Sequence, residues 1–155
     1  MNELENQIRS LLEPKELKSI VADPSSCQAH IDRARQHLNA AEMAVSVDPS
    51  AAVQIAYGAA RKSLNAILML VGLKVHERAG SHGSYVRLSK LTHLDQEIWI
   101  GFEELKKIRN RAEYDEHPIE ISSSFALQII EESRLMVADV QGLVERFIQT
   151  TQAES

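Results

Sequence analysis

The sequence predicts an all-α fold: an up-and-down four-helix bundle with an N-terminal helical arm and a short helix between the second and third long helices. Three observations carry that expectation. Long segments repeat apolar residues every three or four positions, the chain of 155 residues holds only six Gly and four Pro, and 44% of it is apolar with 5% aromatic. So few turn formers exclude most β-sandwiches and barrels. The length suits one packed core, divided into an arm at 1–25, a bundle at 26–150 and a disordered tail at 151–155.

In the arm, Leu4, Ile8, Leu11 and Leu12 keep helical spacing up to Glu13-Pro14, and Leu17, Ile20 and Val21 predict a second short helix ending before Asp23-Pro24. Ser25 or Ser26 is the expected cap of the first long helix, whose apolar face is Ile31, Ala34, Leu38, Ala41 and Val45. Only Ser46-Val47-Asp48 separates it from Pro49. Asp as N-cap with Pro at the first helical position starts the second long helix, and the pair is expected to form an antiparallel hairpin.

The second helix carries Val53, Ala56, Tyr57, Ala60, Leu64, Ile67, Leu68 and Val71 as a broad stripe, and its C-terminal half is apolar nearly all round. It is the expected centre of the core. Gly72 to Gly83 breaks the pattern, and a short helical piece is expected over Tyr85 to Leu91. Asp95 caps a third long helix with Ile98, Phe102, Leu105 and Ala112 on one face, stopped by Pro118. The fourth begins after Ser122-Ser123-Ser124, with Phe125, Ile129, Met136, Val140, Leu143 and Phe147 as its stripe and an interruption at Glu132-Ser133.

Charge and cysteine content limit the function. Seventeen Lys and Arg against 22 Asp and Glu give −5, which argues against broad coating of nucleic acid or anionic membrane, so any nucleic-acid site must be a local basic patch. The longest apolar run, Ala66 to Leu73, falls short of the roughly 20 residues of a membrane span. The first ten residues show no secretory signal, and the single Cys27 forms no internal disulfide and reads as a buried small hydrophobe, both pointing to the cytoplasm. No HExxH, Glu-x-x-His or GK[ST] pattern is present, so neither metal nor cofactor is expected.

The sharpest anomaly lies in Lys106 to Pro118. Steps of three, four and three from Phe102 reach Leu105, Arg109 and Ala112, which puts Arg109 in an apolar stripe, whereas Arg111 falls with Glu104 and Lys107 toward solvent. A guanidinium there needs a partner, a ligand or a second subunit. Asn110, Tyr114 and His117 can converge with it at one helix end, a set of groups suited to a phosphodiester. As simple helix-terminal cations, Lys106, Lys107 and Arg111 are also explained by the helix dipole. Tyr57 and Arg61 lie one turn apart on the second helix and can face the same cleft, or place Tyr57 in the core and Arg61 on the surface.

The segment RNRAEY, Arg109 to Tyr114, at the end of the third helix resembles the motif of the HEPN superfamily, in which an Arg, often followed by Asn, precedes a His by four to six residues. Gly80-Ser81-His82-Gly83 is similar to the Gly-His loop of many members, and the resemblance spans about Ser26 to Phe147. Many relatives of this kind are metal-independent endoribonucleases, toxins of toxin–antitoxin or phage-defence systems, that dimerise so that two motifs face one cleft. The resemblance implies that Arg109 stabilises charge on the scissile phosphate while a His moves the proton, leaving 2′,3′-cyclic phosphate ends. Lys106, Arg111 and Arg61 would bind RNA phosphates, and the partners implied are a second copy, RNA or a nucleotide, and a nucleotidyltransferase or DNA-binding antitoxin. Here Tyr114 stands in the His position, and His117 meets the spacing only from Arg111. Two other readings follow from that departure. One is a non-catalytic nucleotide-, RNA- or partner-binding module; the other is a structural dimer in which Arg109 pairs with Glu113 or Asp115 of its partner.

Overall fold

A computed structural model describes residues 2–76, 81–92, 107 and 120–154. Its elements are α1 (Glu3–Leu11), β1 (Leu17–Ser19), α2 (Pro24–Ala44), α3 (Pro49–Leu70), β2 (Leu73–Val75), α4 (Ser81–Leu88) and α5 (Ser123–Glu154), with 3-10 turns at Pro14–Glu16 and Ser89–Leu91. The protein is all-α apart from the small two-stranded sheet. The third long helix read from the sequence falls outside the described residues, except for Lys107, which is helical and exposed. No helix among the described residues is long and apolar enough to cross a membrane.

The α2–α3 hairpin forms as its sequence dictates. Asp48 accepts from the Ser50 and Ala51 amides at 3.1 and 3.3 Å, covering orphan donors of α3 while Pro49 takes the first position, where no donor is needed. The helices run antiparallel: the Cys27 thiol, early in α2, donates to the Ala66 carbonyl, late in α3, at 3.1 Å. The start of α2 also has Asp as N-cap and Pro at the first position, two residues before the expected Ser25 cap, but without a side-chain bond to the helix amides. Asp23 is the N-cap and Pro24 the first residue, and Ser25 and Ser26 instead donate their hydroxyls to the Asp23 carboxylate.

Burial follows the apolar periodicity. Ile31, Ala34, Leu38 and Ala41 of α2 meet Ala56, Ala60, Leu64, Ile67 and Leu68 of α3, all with no exposed surface, and each large side chain among them contributes roughly 1.5–3 kcal/mol. Against them lies α5, antiparallel to α2, with Gln28 and Gln141 exchanging amide hydrogen bonds at 2.8 Å and Arg134 reaching Asn39 and Glu42. The interruption expected at Ser133 is closed locally: this buried hydroxyl donates to the Ile129 carbonyl at 2.8 Å, so it fits an otherwise apolar face. Residues 151–154, expected as a disordered tail, are helical. Thr150 and Thr151 support this last stretch of α5 by donating to the Arg146 and Phe147 carbonyls at 2.9 Å.

The N-terminal segment departs most from the sequence reading. Its first helix forms, and Leu4, Ile8 and Leu12 are buried in the core. The second short helix expected over Leu17, Ile20 and Val21 is replaced by β1, paired antiparallel to β2 with Leu17 opposite Val75, Lys18 opposite Lys74 and Ser19 opposite Leu73. The physical reason is the stretch after α3. Gly72 takes φ +73 and ends the helix, leaving an extended strand whose backbone groups need partners, and residues 16–20 supply them. The Ile20 amide donates to the Gly72 carbonyl at 2.9 Å and the His76 amide to the Glu16 carbonyl at 2.8 Å, framing the pair. The short helical piece after Gly72–Gly83 starts at Ser81, a turn earlier than expected, and continues as the 3-10 turn to Leu91.

Candidate functional site

A pocket of about 390 Å³ opens where α2, α3, β2, α4 and the residue after β1 meet. Its described lining is Ile20, His30, Gly58, Arg61, Lys62, Asn65, Met69, Leu73, Lys74, Val75, His76 and Tyr85. Three of these twelve, Arg61, Lys62 and Lys74, are cations, two more are His, and none is acidic, although the chain as a whole carries −5. Cations gathered within low-dielectric walls focus the field on an anion.

The helix α3 supplies three polar residues on one face, Arg61 with Lys62 beside it and Asn65 one turn on. Arg61 is half-buried, with its guanidinium carbon 5.1 Å from the Tyr85 ring centroid and 6.0 Å from that of Tyr57. These cation–π contacts restrain its planar head. Its Nε is buried without a hydrogen-bond partner, and among the described residues no carboxylate lies within 4 Å of the side chain. The Tyr85 hydroxyl donates to Asn65 Oδ1 at 2.9 Å, so the amide group keeps its N–H donors for other partners.

The other walls come from distant parts of the chain. Gly72 turns the backbone back along α3, which sets Lys74 and His76 beside the Arg61 turn. Lys18 stands opposite Lys74 in the sheet, so two lysines share one face of it. On α2, His30 Nδ1 lies 3.1 Å from the Ser26 carbonyl, which fixes that nitrogen as the donor and turns Nε2 away as the free ring position. His37, two turns further, is held below its ordinary value by burial first and then by the charges of Arg33 and Lys62, so the positive field extends along α2.

Among the described residues two carboxylates lie near the pocket: Asp23, which accepts from Ser25 and Ser26 and whose charge acts on His30, and Glu16, which is paired in place. Its Oε1 accepts from Arg87 and, at 2.9 Å, from the buried Ser84 hydroxyl, while Oε2 accepts from the Glu13 amide at 2.7 Å. These bonds tie the segment before β1 to α4 and keep the acid engaged with its own cation.

Of the residues singled out from the sequence, the structure places Arg61 in this pocket, half-buried rather than on the surface, and Tyr57 beneath it in the core. Arg109, Asn110, Arg111, Tyr114, His117 and Lys106 lie outside the described residues. Cys27 is buried and free as expected, and its thiol is pushed up to about 11, chiefly by burial and then by Asp23. Sequence reasoning missed His30, Lys62, Asn65, Lys74, His76 and Tyr85. Only Lys62 and Asn65 left a signal, as polar residues in step with Arg61 on the most apolar helix.

Among the described residues no three His, Cys, Asp or Glu side chains converge as a metal site. What the arrangement can do is bind an anion: a restrained guanidinium and two lysines supply charge, two imidazoles and an amide supply directional hydrogen bonds, and Ile20, Met69 and Leu73 supply apolar surface. The fold and site thus define an all-α module with a cationic pocket. Compared with known family models, curated proteins and solved structures, the chain matches none.

Proposed function

We propose that the protein is an HEPN-like binding module that recognises the phosphate groups of RNA or of a nucleotide. The observation that supports this reading is the pocket, whose described lining holds three cations, two imidazoles and no acidic residue in a chain of net charge −5. This is the local basic patch that the overall charge requires of any nucleic-acid-binding role. Titration of labelled single-stranded RNA with the purified chain tests it. Binding should weaken with salt, and reversing one charge, Lys62→Glu, should cost roughly tenfold or more, because a lost cation is joined by a repulsive anion. RNA affinity unchanged by Lys62→Glu and Lys74→Glu together refutes it.

A second reading adds catalysis, on the strength of Arg109-Asn110 followed by Tyr114 and His117. In it the protein is a metal-independent endoribonuclease of a cytoplasmic toxin–antitoxin or defence system, acting as a homodimer and silenced by a cognate antitoxin. Arg109 stabilises the pentavalent phosphorane and His117 relays the proton, with Lys106 and Arg111 holding the strand. Incubating total RNA with the protein in excess EDTA distinguishes the two. Cleavage to cyclic phosphate ends that Arg109→Ala abolishes establishes the nuclease, and binding without cleavage at high protein concentration leaves the binding module alone.

A further inference from the structure

Resting on the phosphate-recognition reading, we infer that the pocket is one end of a longer site, in which a single strand of RNA passes from Arg61 and Lys62 onto the flank of α2 that carries Arg33 and His37. Charge on α2 is divided between two flanks. Gln28, Asp32, Arg35, Asn39 and Glu42 lie toward α5, where Gln28 and Arg35 bond Gln141, Arg35 pairs with Asp32 at 3.4 Å, and Arg134 bonds Asn39 and pairs with Glu42 at 2.7 Å. Along the opposite flank Ser26, His30, Arg33, His37, Ala40 and Ala44 follow one another in steps of four and three, with no acid among them. That flank borders α3, since His30 and Lys62 line the same pocket and the charges of Arg33 and Lys62 both act on His37. The helix α3 itself contains no Asp or Glu.

The acids within α2 are therefore engaged on the α5 side, and the cations on the α3 side are left for a ligand. Arg33 is exposed and donates only to Gln36 of its own helix, at 3.0 Å, and among the described residues neither Arg33 nor Lys62 has a carboxylate within 4 Å. Asp23 lies at the His30 end, where the Ser25 and Ser26 hydroxyls occupy its two oxygens. His37, held below its ordinary value by burial and then by Arg33 and Lys62, offers a neutral N–H donor beside them. Length decides the ligand. Arg33 and His37 are not part of the pocket lining, and from His30 to His37 the flank runs about 10 Å at about 1.5 Å per residue. A ligand confined to the pocket does not reach Arg33, whereas one that meets both carries a second phosphate. Arg33 and His37 form a single line on one helix, which follows one backbone; a duplex presents two, a groove apart. No aromatic residue stands on this flank to stack a base, so the contacts position the strand through its phosphates without reading its sequence.

The test titrates the full chain with uridine monophosphate and with single-stranded oligouridines of increasing length, up to about eight nucleotides, across a series of salt concentrations. Affinity should rise about tenfold or more from the monophosphate to the longest strand, the gain of a second set of phosphate contacts. Arg33→Gln should weaken the longest strand about threefold or more and lower its salt slope by about 0.7, and it should leave the monophosphate as it was, because Arg33 stands outside the pocket. Arg35→Gln removes the same charge from the α5 flank and should change neither, with the circular dichroism of both variants that of the unsubstituted chain. Lys62→Glu should weaken strand and monophosphate alike. Equal effects of Arg33→Gln and Arg35→Gln on the strand, or an affinity that does not rise with length, overturn the longer site while Lys62→Glu still reports on the pocket. An equal loss of strand and monophosphate in Arg33→Gln overturns it as well, by placing Arg33 in the pocket. Tighter binding of the duplex with oligoadenosine overturns the single strand as the occupant. Absence of binding by every oligonucleotide and by the monophosphate overturns the phosphate-recognition reading itself.

Discussion

Replacing Gly72 by Ala tests how the N-terminal segment is joined to the rest of the molecule. Gly72 has φ +73, where an L side chain costs about 1–2 kcal/mol. A Cβ there would lie 2.7 Å from the Ile20 carbonyl oxygen and 3.2 Å from the Ala22 nitrogen. Both are backbone atoms, so no rotamer change relieves the clash. Either the end of α3 rebuilds or residues 20–22 move away, and the latter sacrifices the bond from the Ile20 amide to the Gly72 carbonyl, at 2.9 Å, worth about 0.5–1.5 kcal/mol. Together these give a loss of about 1.5–3.5 kcal/mol, rising to about 2–5 kcal/mol if the Asp23 amide also loses the Met69 carbonyl at 3.0 Å. Gly58→Ala is the internal control. It lies inside α3 with nothing within 4 Å of the added carbon, so the same chemical change should stabilise by about 0.4–1 kcal/mol. Urea unfolding followed by far-ultraviolet circular dichroism measures both, and amide hydrogen exchange reads Ile20 directly. A Gly72→Ala protein with a midpoint at or above that of the unsubstituted chain, and with Ile20 equally protected, would refute the reasoning.

Other consequences are open to measurement. Ile8→Ala removes a fully buried side chain of α1 and should lower stability by about 2–5 kcal/mol in the same unfolding assay; a change under 0.5 kcal/mol, roughly the scale of a surface substitution, would mean that α1 is not part of the core. Cys27, buried and with its thiol near 11, should resist iodoacetamide at pH 8 in the folded protein and react once urea exposes it; rapid native labelling at that pH would contradict its burial. His37 is held below its ordinary 6.5 in the folded protein, so the unfolded chain binds its proton more readily. Stability should therefore fall as pH drops through 6.5, levelling off below the depressed folded value, and His37→Gln should flatten that part of the unfolding-midpoint profile.

Much of the helical frame was legible because its signals are local. Asp48-Pro49 starts α3 through bonds that reach only two and three residues ahead, and the stripes of α2 and α3 are buried as their spacing requires. β1 was not legible, for a reason of length. Leu17, Ile20 and Val21 fit one turn of helix as well as a strand edge, and a three-residue strand offers no repeat to decide between them. The decision is made by β2, far along the chain, whose unpaired backbone follows from the positive φ of Gly72. The expected gap at Ser133 failed differently: a serine that returns its hydroxyl to its own helix can be buried, so polarity alone misjudged the face.

The pocket was hidden for a related reason, and that reason bears on how it works. Its basic residues belong to separate segments, His30 on α2, Arg61 and Lys62 on α3, and Lys74 and His76 at β2, none of which is a basic run, and the net charge of the chain is negative. The turn at Gly72 brings Lys74 and His76 back to Arg61 and Lys62, and the same turn creates the strand that β1 completes, putting Ile20 in the pocket wall. Glu16 fastens the beginning of that segment to Ser84 and Arg87 on α4, the helix that also carries Tyr85, on whose ring Arg61 rests. The N-terminal residues and the cationic pocket are thus assembled by one set of contacts. An anion that binds only where Arg61, Lys62 and β2 are assembled favours the folded pocket, so its binding should raise the stability of the β1–β2 pair along with that of the pocket.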